Sequence, residues 1–298
     1  MSDIENALRE HARQLLTDKT VEAVIGYEKG TESIKATPAF ILRPEDADRL
    51  IFDATCVHNL VKFAIRFRGK VAVVVKVCDM KAVISYIQEA QKKWEDFYLI
   101  GLPCTGVINR DKMIAAGKTN LTDFTGEFIS PKCPSCDYKY LLGPDFYAGE
   151  RQEVRVPEVA VETGYEVDLM KMSLEERRKF FDDLSQKCIR CYACRQTCPM
   201  CYCLQCIVDK NQPQWVNHSI YADNNQMWHL IWAMHLAGRC ISCGECERVC
   251  PQNLPLRVFH RYLVAKVKEH FDYVAGQSTE GKPPLNMYFL GDTENFIR

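Results

Sequence analysis

The first apolar pattern in the chain is helical. Ile4, Leu8, Ala12 and Leu15 recur between charged residues, and Ser2 followed by Glu5 is a capping-box signature, so residues 3–16 are predicted to form an amphipathic helix. From about residue 20 the period shortens. Residues 21–27 and 38–42 read as strands and 58–67 as a helix. Residues 70–77 (KVAVVVKV) are nearly continuous β-branched sequence, as expected of a strand buried on both faces. A helix over 80–92 and a strand over 97–102 complete a β-α-β unit. Residues 1–150 are therefore expected to form an α/β domain with a mixed or parallel sheet and covering helices. Residues 130–167 carry Pro131, Pro134, Gly143, Pro144, Gly149 and Pro157, which mark loops, and 151–172 reads as a linker. A second capping box, Ser173 with Glu176, opens a helix to about residue 186. Helices over 226–237 and from Pro255 to about 271 make residues 173–298 a mostly α-helical domain.

Composition adds one outlier. The 38 basic side chains nearly balance the 39 acidic ones, so no basic face marks nucleic acid as a partner. No run approaches a membrane span; the longest candidate, 227–238, contains two histidines. Cysteine stands apart, with sixteen in the chain, none before Cys56 and eleven between Cys188 and Cys250. The N-terminal helix does not read as a secretory signal. A cytoplasmic, reducing compartment is therefore expected, where clustered thiols are metal ligands or redox groups before they are disulfides.

The helical half contains an internal repeat. Cys188, Cys191, Cys194 and Cys198 followed by Pro199 spell C-x2-C-x2-C-x3-C-P, and Cys240, Cys243, Cys246 and Cys250 followed by Pro251 spell it again. Three thiolates at that spacing can hold three corners of one cubane, and in two-cluster ferredoxins the fourth cysteine ligates the other cluster. On this rule one 4Fe–4S cluster takes Cys188, Cys191, Cys194 and Cys250, and a second takes Cys240, Cys243, Cys246 and Cys198. A pair of zinc sites is the bland alternative, but zinc has no use for a third regularly spaced cysteine and a following proline, twice over. With its long insert and helical flanks, the module resembles the α-helical ferredoxins of the heterodisulfide reductase C subunit and of the fumarate reductase iron–sulfur subunit.

In the first half, Cys78 and Cys104 follow two predicted strands, at the edge where open α/β sheets place their ligands, and Cys133 and Cys136 form a C-x2-C pair. From spacing alone these four are an iron site, a zinc site or ordinary buried thiols. VEAVIGYEKG near Val21, KVAVVVKVCDMKAV around Cys78, YLIGLPCTG around Cys104 and KCPSCDYKYLLGPDFYAGE around Cys133 and Cys136 resemble the β subunits of deazaflavin-coenzyme-reducing hydrogenase and the related formate dehydrogenase. The resemblance implies a third 4Fe–4S cluster on Cys78, Cys104, Cys133 and Cys136. It also implies FAD, although LREHARQLLTDKT replaces the family's Gly-rich opening and no G-x-G-x-x-G or P-loop is present.

Cys201, Cys203 and Cys206 crowd behind the first motif as CPMCYCLQC. They are candidates for an additional metal site, with Cys56 as a possible fourth ligand, or for packing beside the clusters. Trp228, Trp232 and His235 share a helical face that reads as core. Arg257, His260, Arg261, Lys266 and Lys268 read as a solvated face or as a docking surface for an acidic partner. The expected function is that of an electron-transfer subunit of an anaerobic oxidoreductase complex. The implied hetero-oligomeric partners are a heterodisulfide-reductase-like flavoprotein, a hydrogenase or a formate dehydrogenase. The alternative is a flavin-dependent subunit that oxidises or reduces a deazaflavin or nicotinamide coenzyme in its first domain. Since an oxidised cubane with four thiolates carries about −2, three would move the formal charge from −1 to about −7.

Overall fold

The computed structural model describes residues 3–134, 136, 143–150, 169, 171–281 and 283–284. Most of the expected linker, and the C-terminal residues from 285, lie outside these. The first helix, α1 (Asp3–Thr17), buries Leu8, Ala12, Leu15 and Leu16 on one stripe, as its period requires. It packs on β1 (Ala23–Lys29), which pairs antiparallel with β2 (Ala36–Ile41). Pro38 cannot donate to a ladder, and β2 accommodates it as an edge strand.

A short helix, α2 (Val61–Ala64), occupies the centre of the longer helix predicted over 58–67. Its flanks are 3-10-like turns, in which Phe63, Arg66 and Phe67 each donate to the carbonyl three residues back. Next come β3 (Val71–Val75), α3 (Val77–Gln88), β4 (Phe97–Gly101), α4 (Arg110–Ala115) and β5 (Phe146–Tyr147). The sheet order is β2-β1-β3-β4-β5, parallel except for the β1–β2 pair, so the sheet is mixed. All five residues of β3 are buried; because successive side chains alternate faces, both faces of the sheet are covered there. The strand ends two residues earlier than predicted. Asp79 accepts from the Lys76 amide at 2.9 Å and starts α3 at Val77.

The second half is helical. α5 (Leu174–Lys187) begins at the predicted capping box, with Ser173 Oγ accepting from the Glu176 amide and Glu176 accepting from the Ser173 amide at 2.7 Å. It packs on α7 (Ala222–His235), with α6 (Ala193–Thr197) between them in sequence; α8 (Glu245–Arg248) and α9 (Arg257–Phe271) follow. Arg257 and His260 are buried, so only part of the basic stretch on α9 is a solvated face. One apolar core runs through both halves, and buried polar contacts join them as well: Glu89 is paired with Arg239 at 2.8 Å, Tyr86 donates to the Pro199 carbonyl, and Lys62 donates to the Cys201 carbonyl at 2.6 Å. No helix among the described residues is long and apolar enough to cross a membrane.

Candidate metal centres

The repeat in the sequence is also a repeat in the backbone. Arg190 and Tyr192, two and four residues after Cys188, have left-handed φ of 54° and 59°; Ser242 and Gly244, at the same offsets from Cys240, have 58° and 69°. Each loop then enters a short helix five residues after its first cysteine, α6 in one case and α8 in the other. Left-handed residues at this spacing curl the chain so that thiols and amide N–H groups face one point. The Arg190 amide donates to Cys188 Sγ at 3.4 Å and the Leu254 amide to Cys250 Sγ at 3.4 Å.

Cys188, Cys191, Cys194 and Cys250 line one small cavity, with Trp228, His229 and Leu256. Cys198, Cys240, Cys243 and Cys246 line a second, with Trp232, Leu236 and His260. Cys250 thus lines the cavity of the first repeat, and Cys198 that of the second. Burial pushes the Cys194 and Cys243 thiols up to about 12, so without a counter-charge they hold their protons. Trp228 and Trp232, one turn apart on α7, stack at 5.7 Å and form adjoining walls of the two cavities. Cys246 lies within electrostatic reach of Cys194, and Cys191 reaches the surface.

The first half contributes a third set. Cys78 is the second residue of α3, where it was expected just past a strand; Cys104 follows β4; Cys133 and Cys136 come from the loop beyond. All four line one cavity of about 60 Å³, closed on its far side by Ile241, Ser242 and Cys243 of the second repeat. The Val107 amide donates to Cys133 Sγ at 3.4 Å. Three lysines share the lining, Lys76, Lys81 and Lys132. Lys76 is buried and pairs with Asp79 at 2.8 Å, while Lys132 pairs with Glu245 of α8 at 3.2 Å. A dianionic cluster suits such surroundings: four thiols, amide donors, and buried ammonium groups to offset its charge.

The remaining thiols divide. Cys201, Cys203 and Cys206 all line a cavity of about 590 Å³ with Lys62, Arg195 and Arg239. The hydrogen bond with Cys198 lowers the Cys201 thiol below its ordinary value, and the Trp232 indole donates to its sulfur at 3.2 Å. Cys56 is not with them. It is buried in the α/β core, its sulfur accepting from the Asp53 amide at 3.5 Å, so it is no fourth ligand for that group. Among the described residues no group of three or more His, Cys, Asp or Glu is arranged to hold a single metal ion. Sequence reasoning missed the polar groups around the thiols, namely the charged Lys132, Glu245 and Arg248 and the imidazole of His58. Lys132 and Glu245 are 113 residues apart, and no local pattern joins them.

Fold and site together define a class: an α/β domain with a four-thiol cavity at its sheet edge, joined to a helical region that bears a 4Fe–4S dicluster domain. Residues 187–255 match the family model described as a 4Fe–4S dicluster domain. Over nearly its whole length the chain is similar to two methanogen proteins. The F420-dependent formate dehydrogenase subunit beta of Methanocaldococcus jannaschii is 23% identical over 360 aligned positions, covering 92% of this chain and 92% of that protein. The F420-dependent formate dehydrogenase 1 subunit beta of Methanococcus maripaludis is 25% identical over 357, covering 92% and 91%. A chain of the F420-reducing nickel–iron hydrogenase complex from Methanosarcina barkeri aligns with 45% of this chain and 59% of its own, with a TM-score of 0.34 and 16% identity. The resemblance seen in the first half therefore extends through the second.

Proposed function

We propose that the chain is the iron–sulfur electron-transfer subunit of a formate dehydrogenase- or hydrogenase-type complex. In this reading Cys188, Cys191, Cys194 and Cys250 hold one 4Fe–4S cluster, Cys240, Cys243, Cys246 and Cys198 a second, and Cys78, Cys104, Cys133 and Cys136 a third. The observation that carries the reading is the continuity of the three four-thiol cavities. Ile241–Cys243 is common to the first-domain cavity and the middle one, and the two ferredoxin cavities adjoin through Trp228 and Trp232. Clusters bound there supply reversible one-electron storage at potentials set by burial, charge and hydrogen bonds to sulfur.

The chain's own residues do the rest. Trp228, Trp232, Leu236 and Leu256 exclude water from the ferredoxin cavities, amide N–H groups face the sulfurs, and Lys76 and Lys132 place positive charge beside the first-domain thiols. The exposed Cys191 marks the end of the series nearest the surface, where a redox partner subunit would dock. The test is anaerobic isolation followed by visible spectroscopy. The reading expects a brown protein whose broad absorbance bleaches with a low-potential reductant; a colourless protein containing zinc would refute it.

A second reading is favoured by one cavity. Lys35, Arg110, Lys112, Lys132 and Arg248, outnumbering Asp111 and Glu247, line a space of about 370 Å³ that shares Lys132 with the first-domain thiols. FAD bound there would place coenzyme chemistry in this chain, and its phosphates would meet the basic lining. Acid precipitation decides the matter. A yellow supernatant with about one flavin per chain supports this reading, and a flavin-free protein with full iron content rules it out.

A further inference from the structure

Lys132 occupies the partition between the first-domain thiol cavity and the middle ferredoxin cavity. Its side chain is 9% exposed, and its ammonium group pairs with Glu245 at 3.2 Å and donates to the Val57 carbonyl at 3.2 Å. Its stem lies against Gly244, where a Cβ would approach the lysine stem to 3.1 Å; that residue's φ of 69° already favours glycine. Lys132 lines the first-domain cavity directly, while its neighbours Gly244 and Glu245 line the middle one and Cys243 lines both. Glu245 is itself buried and pairs with both Lys132 and Arg248, the latter at 2.8 Å. The remaining ferredoxin cavity, lined by Cys188, Cys191, Cys194 and Cys250, includes neither Lys132 nor Glu245.

We infer that Lys132 is a shared counter-ion that raises the reduction potentials of the first-domain and middle clusters together, and that Glu245 moderates it. This rests on the three-cluster reading above. A fixed cation inside a low-dielectric partition stabilises the more negative, reduced state of any cluster on either side, whereas the third site has neither Lys132 nor Glu245 in its lining and responds less. Lys132 is thus a positioning charge that ranks the centres and makes the pair electron-accepting relative to the cluster at Cys188.

Potentiometric EPR titration of the whole, iron-loaded chain tests this. Lys132→Met should lower the midpoints of two clusters and leave the third in place, Lys132→Arg should restore them, and Glu245→Gln should raise the same two. A purely structural role would not give opposite signs for the two substitutions. If three cluster signals are present but none moves, or all three move alike, the inference is overturned. If the unsubstituted chain lacks a first-domain cluster signal, the three-cluster reading has failed instead, and with it the premise of a shared counter-ion.

Discussion

Single buried charges set the surroundings of the thiols in the first half. Asp79 accepts from the Lys76 amide at 2.9 Å and the Leu60 amide at 3.2 Å, and neutralises the Lys76 ammonium at 2.8 Å, with both side chains essentially inaccessible. Asp79→Ala leaves that ammonium buried and unpaired beside Cys78, a change that costs about 3–5 kcal/mol. Denaturant unfolding should show the loss, and a change below about 1 kcal/mol would contradict the assigned pairing. His58 makes a pH-dependent contribution. Burial first, and the neighbouring Arg248 second, lower its pKa to about 4, so it stays neutral in the folded chain. An unfolded histidine takes up its proton below about 6.5, so the unfolded state binds the extra proton between about 6.5 and 4 and stability falls as pH drops through that window. His58→Gln should flatten that part of a stability-versus-pH curve; an unchanged curve would show that His58 is not its source.

Among the elements, those whose signals are local were legible. The capping box at Ser173 and the β-branched run of β3 need only neighbouring residues, and both are where the pattern places them. Ser173→Ala should cost about 1 kcal/mol without changing iron content, because the cap lies a full helix away from Cys188; thermal unfolding with parallel iron analysis checks both halves of that expectation. Elements set by tertiary contact were read less well. The apolar run over 58–67 yields only α2, because its flanking residues make 3-10-type bonds. β3 stops at Val75 because Asp79 captures the Lys76 amide, which moves Cys78 from a strand end into the first turn of α3. The repeated cysteine spacing was the most legible feature of all, and the structure adds left-handed residues at matching offsets in the two repeats. The counter-ions were not legible: Lys132 and Glu245, or Glu89 and Arg239, meet only once the two halves are packed.

At the scale of the whole molecule the halves do not behave as independent beads. The Glu89–Arg239 pair, the Tyr86 bond to Pro199 and the Lys132–Glu245 pair all cross between them, and the last forms part of the wall between two thiol cavities. This packing sets a dispersed group of four cysteines against the dicluster region, and we propose that the three thiol sites form one continuous series of clusters. Iron and acid-labile sulfide measured on the anaerobically prepared chain test that claim most directly. Three four-thiol sites predict about twelve irons and about twelve sulfides per chain, whereas about eight of each would remove the first-domain cluster and contradict the continuous series.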